Sequence, residues 1–286
     1  MSAGRVPIPF VIHGLAYAGV VVGYVPFLTL LLPLRLGELS PEADRVGWLS
    51  LCAICGAVSA SVGNILAGWL SDLTAGSRVG RRGWVGLGLA GFILAFVAVE
   101  ASRTPAALVI AVVLFQFALN FMLGPMMAAF AEETPESRRG SLGGLLGFVY
   151  PAGAVVGIVV TQTPVRDADI EIALVGAATT LLVLPFLLAR PAQPILAESA
   201  SIQARLADFG RAGIARFLLQ IAGGVIFAFS LYYFADRSDV AEADLPARLA
   251  GVSALVTVAS APVAVAVGWA TDRYGGWRAW LAAAAA

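Results

Sequence analysis

The chain has 286 residues, 59% of them hydrophobic and 13% charged, roughly half the charged share of a soluble domain. Its 18 acids are balanced by 18 basic residues, all Arg, so net charge is zero. Dispersed, balanced charge argues against a nucleic-acid-binding protein, and apolar runs of about twenty residues rule out a soluble globule.

The apolar runs predict an all-α polytopic membrane protein with about eight spanning helices. They lie near 9–34, 47–70, 84–100, 106–129, 141–162, 172–189, 213–234 and 248–270. The first run is too long for a cleavable signal peptide and lacks its small-residue cleavage site. It carries His13, Tyr17 and Tyr24 at i, i+4 and i+11, within about 40° of one helix face. The second holds Cys52 and Cys55. A redox or metal reading needs an exposed thiolate or more ligands, and the one His is distant in sequence, so the pair reads as two small buried hydrophobes. Asn64 lies close to the following turn and reads as structural. That turn begins with Ala-Gly-Trp-Leu-Ser-Asp at 67–72 and continues through Arg78, Gly80, Arg81 and Arg82.

The fourth run carries Gln116 and Asn120 at i, i+4, with Gly124 one turn beyond. Arg138 and Arg139 precede the Gly-rich fifth run, which contains Tyr150. A polar segment at 190–212 separates a bundle at 1–189 from a second part at 213–286 and reads as a linker. The seventh run carries Gln220. The eighth ends in Val-Gly-Trp-Ala-Thr-Asp at 267–272, followed by Arg273 and Arg278. The eight residues after Arg278 would rise about 12 Å as a helix, less than half a bilayer, so a ninth helix is expected to begin and stop.

Arg distribution sets an expected orientation. With the N-terminus in the cytoplasm, 12 of the 18 Arg lie on the cytoplasmic side, and 11 of the 18 acids lie outside. The expected location is the cell (inner) membrane, multi-pass. The duplicated Gly-Trp-x-(Ser/Thr)-Asp tail, 200 residues apart, points to an internal repeat of helix bundles, a common plan among transporters. The eight runs as bounded here contain no Asp or Glu apart from Glu100, the last residue of the third. No dense set of nucleophile, base or metal ligands lies on one face, so neither an enzyme nor a cofactor or metal is expected.

Polar side chains inside spans are costly in lipid and usually face a cavity or another helix. Tyr17, Tyr24, Gln116, Asn120, Tyr150 and Gln220 are therefore candidate solute-binding residues. Amide and phenol groups suit a neutral polyol. Tyr17 and Tyr24 serve equally as core or interfacial aromatics, and Gln116 and Asn120 equally as helix-to-helix hydrogen bonders. His13 is the candidate proton-coupling group, against a plain interfacial role.

The turn from Gly68 and Asp72 through Arg78, Gly80, Arg81 and Arg82 resembles the turn between helices two and three of the major facilitator superfamily. Its long spacing is similar to the branch holding the glycoside-pentoside-hexuronide cation symporters and the plant sucrose transporters. Asn120 through Gly124-Pro125, Ala131-Glu132-Glu133-Thr134-Pro135-Glu136 and Arg138-Arg139-Gly140 resemble the helix-four to helix-five passage of that branch. The second copy, Gly268 through Asp272, Arg273 and Arg278, matches the shorter, general form. The resemblance implies a six-helix bundle plus a partial second bundle, apparently truncated after helix eight. It also implies a crossed gate on the cytoplasmic side. In that gate Gly68, Asp72, Arg78, Gly80, Arg81 and Arg82 face helix eleven. Gly268, Asp272, Arg273 and Arg278 face helix five near Arg138, Arg139 and Gly140.

The implied activity is secondary active transport of a sugar or glycoside, with H⁺ or Na⁺, by alternating access in the bilayer. Two other readings stand beside it. One is a lipid or amphipathic-solute transporter of the same fold. The other is a truncated or fragmentary protein with no transport of its own. Absence of carboxylates from the second and fourth runs departs from the branch and weighs against cation coupling by them.

Overall fold

In the computed structural model, residues 8–77, 79–161, 168–190 and 245–275 are described, with short helical pieces between 210 and 222. The described residues are helical throughout apart from turns. Helix α1 (Ile8–Pro26) passes through a π-turn, Phe27–Leu31, into α2 (Leu32–Leu39). The helices α3 (Glu42–Leu73), α4 (Gly80–Ala101), α5 (Pro105–Glu133), α6 (Arg139–Thr161) and α7 (Ala168–Leu188) follow. The last is α8 (Leu245–Tyr274). Five described stretches are long and apolar enough to cross a bilayer: Pro9–Leu39, Glu42–Leu73, Gly80–Ala101, Pro105–Glu133 and Ile170–Leu188. Of the seventh apolar run, 223–234 lies outside the described residues. So do most of the 190–212 segment and everything after Gly275. One compact unit comprises Met1–Ile195 with Ala261–Ala286, and a second comprises Leu196–Ser260.

Local chemistry fixes the helix ends. Pro26 has no N–H to give, and the chain widens just past it: Leu32 N–H bonds the Phe27 carbonyl, five residues back. Thr29 Oγ1 donates to the Val25 carbonyl (2.7 Å) in the same stretch. Glu42 and Asp44 sit in the first turn of α3, where negative charge complements the helix dipole. At the start of α5, Thr104 Oγ1 accepts from Ala107 N–H (3.2 Å) and Pro105 takes the first position, which needs no donor. Gly80 opens α4 at φ +49°, a conformation that side chains disfavour.

Helices α3 and α5 run past the apolar stretches that marked them, from Glu42 rather than 47 and to Glu133 rather than 129. Once a helix is nucleated, each added residue gains a backbone hydrogen bond whatever its side chain. The acid-free interior expected from the runs therefore does not extend to the helix ends.

α5 packs against α3 and α4, and α1 against α6 and α7. At the centre, Phe27, Phe92, Phe96 and Phe115 form an aromatic cluster with ring centroids 4.3–5.5 Å apart. Lipid is as apolar as these rings, so dispersion and fit rather than escape from water hold them together. At the α2 end, the largely buried Arg35 donates to Glu38 Oε2 (2.7 Å) and to the Glu100 carbonyl (2.8 Å). It thus supplies donors at the C-terminus of α4.

Candidate functional site

The polar chemistry gathers where α3 turns into α4 and where α5 and α7 end. Arg81 and Arg82 begin α4 and are adjacent in sequence, so their side chains diverge to different neighbours. Arg81 donates to Ser71 Oγ (2.8 Å) and Asp72 Oδ1, and forks onto Glu132 at Oε1 (2.5 Å) and Oε2 (3.2 Å). One planar cation thereby ties α3, α4 and α5 together, which a lysine ammonium cannot do with the same geometry. Trp84 Nε1 donates to Thr74 Oγ1 (2.6 Å), closing the turn.

Arg82 does the same on the other side. Its Nη2 donates to both oxygens of Glu133 (2.9 and 3.1 Å). Its Nη1 donates to the carbonyls of Phe186 (2.8 Å) and Ala189, at the end of α7. The guanidinium also lies 4.6 Å from the Phe186 ring centre. His13 Nε2 meets Glu133 Oε2 at 3.1 Å. Paired with Arg82, Glu133 is an acceptor only, so His13 Nε2 carries the hydrogen and donates. These side chains are nearly closed to solvent: His13 1%, Glu133 8% and Arg82 12% exposed.

A second junction joins α8 to α6. Asp272 accepts from the N–H groups of Gly140 (2.7 Å) and Ser141 (2.6 Å), in the first turn of α6. Unsatisfied N–H groups and the positive dipole end make a helix start a natural seat for a carboxylate. Missing side chains make the approach possible. A Cβ on Gly268 would collide with the Gly140 carbonyl, and one on Gly144 would lie 2.6 Å from the Ala264 carbonyl oxygen.

The expected gate residues separate into distinct environments. Gly68 has nothing within 4 Å of a would-be Cβ, and the Asp72 side chain is 65% exposed despite its bond to Arg81. Arg138 and Arg139 are exposed. Arg139 Nη1 donates to Glu136 Oε1 (3.2 Å), while the α6 backbone rather than either guanidinium holds Asp272. Arg273 lies over the rings of Trp269 and Tyr274 (5.5 and 5.9 Å). Arg78 and Arg278 lie outside the described residues.

Among the candidate solute-binding residues, Asn120 lines an open groove of about 360 Å³ with Ala60, Ser61, Asn64 and Ile65, and its Nδ2 donates to the Gln116 carbonyl (2.9 Å). Gln116 is buried between α5 and Gly56 of α3, its Oε1 unpartnered among the described residues. Tyr17 and Tyr24 are half-buried and pack against the hydrophobic core. Gln220 and the Tyr150 side chain lie outside the described residues. Cys52 is buried, Cys55 half-buried, and neither is in a disulfide. No group of His, Cys, Asp and Glu suited to a metal occurs among the described residues.

The residues that sequence reasoning left out of the site are Glu132, Glu133 and Ser141. An acid pair one turn beyond an apolar run was the available signal for the first two. Nothing local marks Ser141, because its contribution is a backbone N–H. No curated protein matches the chain. Residues 10–286 match the family model described as the Major Facilitator Superfamily, and the chain belongs to that superfamily of membrane transporters.

Proposed function

We propose that the protein is a secondary active transporter that moves a small neutral polar solute, a sugar or glycoside, by alternating access. The end bearing the α3–α4 turn faces the cytoplasm in this reading, as the excess of Arg on that side suggests. The observation that carries it is the seat of Asp272 on the start of α6, where two charge-assisted hydrogen bonds and a glycine crossing join α8 to the first bundle. Such a junction is strong yet non-covalent and clustered at one end, so it can open when bundles rock about a mid-membrane site. Gly68, Asp72 and Gly80 to Arg82 form the other half of the gate. Tyr17, Tyr24, Gln116 and Asn120 supply hydrogen bonds to the solute, with Tyr150 and Gln220. The sugar assignment follows the resemblance of the 68–82 turn and the uncharged polar character of these groups.

A disulfide across the junction tests this. A Cβ on Gly147 would lie 3.0 Å from Ala264 Cβ, within a small shift of disulfide spacing. In a background with Cys52 and Cys55 replaced, the pair Gly147→Cys and Ala264→Cys should crosslink in membranes. Oxidation should stop counterflow of labelled neutral mono- and disaccharides in vesicles, and reduction should restore it. Counterflow that persists with the disulfide intact would defeat the rocking mechanism. Exchange of a lysolipid but of no sugar would replace the solute class.

A further inference from the structure

We propose that His13, Glu133 and Arg82 form a proton-binding site opening on a cavity at the α3–α4 turn end, with His13 Nδ1 as the atom that takes the proton. Nε2 is committed to Glu133 as a donor, so in the neutral ring Nδ1 is a lone pair. That nitrogen is buried and has no partner among the described residues. The ring is held by Phe130 (centroids 4.3 Å apart) and Phe186 (6.0 Å), so it cannot turn aside without breaking the aromatic packing. Pro9, Ile12, His13, Arg82, Glu133, Ala189 and Arg190 line a cavity of about 320 Å³. At ~30 Å³ per molecule that volume accommodates roughly ten waters.

The charges around the ring decide whether a proton can stay. Arg82 and Arg81 face the site from α4. Glu133 and Glu132 face it from α5. The end of α7 contributes two carbonyls and Arg190, and α6 contributes Arg139, which is turned to Glu136. Arg82 and Glu133 cancel. Arg81 and the cavity-lining Arg190 balance Asp72 and Glu132, so the surroundings are neutral, and it is the Glu133 carboxylate on Nε2 that favours an imidazolium at His13. Nδ1 is closed to solvent in this structure, so uptake requires a cavity water to move in beside it; that water delivers the proton, accepts the new Nδ1–H and takes the proton back on release, while Glu133 remains a carboxylate. While bound, the proton makes Glu133 serve two cations and loosens its fork with Arg82, the side chain that holds the end of α7. The proton's role as coupling ion rests on the transporter reading; its binding does not.

His13 is the sole histidine, so ¹⁵N-histidine labelling of the full chain in lipid vesicles reports this site alone. With the proton itself as probe, solid-state NMR should show the Nε2–H tautomer at pH 8 and an imidazolium growing in towards pH 5. Glu133→Gln should lower the imidazolium fraction at pH 6 by roughly threefold or more, because the stabilising anion is gone. Arg82→Lys, which loses the fork, should raise it. An Nδ1–H tautomer, no imidazolium down to pH 5, or the same titration in Arg82→Lys as in the parent would overturn the proposal even if Glu133→Gln does not fold. A normal titration without sugar counterflow would sink the transport reading and leave the proton site standing.

Discussion

Arg82 and Arg139 show how little an arginine's presence says about its worth. Arg82 is mostly buried and serves a carboxylate and two carbonyls. Removing it leaves Glu133 inside the protein with only His13. Breaking such a pair from one side costs about 3–5 kcal/mol. Arg139 is half exposed and meets Glu136 three residues away, an arrangement worth about 0.5 kcal/mol or less. Arg82→Ala should therefore lower the unfolding temperature of the purified protein by several degrees or prevent its accumulation, while Arg139→Ala should leave it within a degree. Equal effects would mean that Arg82 is not anchoring α7. Neither role can be read from the sequence, where both residues stand in short basic turns. His13 and Glu133 lie 120 residues apart, and nothing local to either announces the other.

At the scale of helices, the crossing of α6 and α8 depends on which glycine is meant. A Cβ on Gly144 runs into the α8 backbone, whereas one on Gly143 meets nothing within 4 Å. Gly144→Leu should abolish the disulfide between positions 147 and 264, and Gly143→Leu should not. Non-reducing electrophoresis reads both. Asp272→Asn keeps an acceptor but loses the charge matched to the helix start, which is worth on the order of 1 kcal/mol. The same crosslink should form more slowly in that variant, and an unchanged rate would assign the junction to packing alone. Apolar runs located these helices because a bilayer demands about twenty apolar residues. They misjudged the ends, since the last turn of α5 is held by ion pairs rather than by lipid. The resemblance brought Asp272 to the neighbourhood of residues 138–140. The contact found there is to backbone N–H groups of Gly140 and Ser141, which no side-chain pattern encodes. The π-turn after Pro26 left only the proline as a trace.

At the scale of the bundle, two largely buried arginines among the described residues stand at its opposite ends, and each supplies donors to the last carbonyls of a neighbouring helix. Arg35 does so for α4, and Arg82 for α7. A helix end is where a membrane bundle ordinarily frays, since orphan carbonyls invite water. With both ends stapled by a flat, permanently charged fork, a tilt imposed at one end reaches the other without being absorbed by loosened turns. Braced in this way, the helices are held against fraying at both ends and are suited to shift as whole rods.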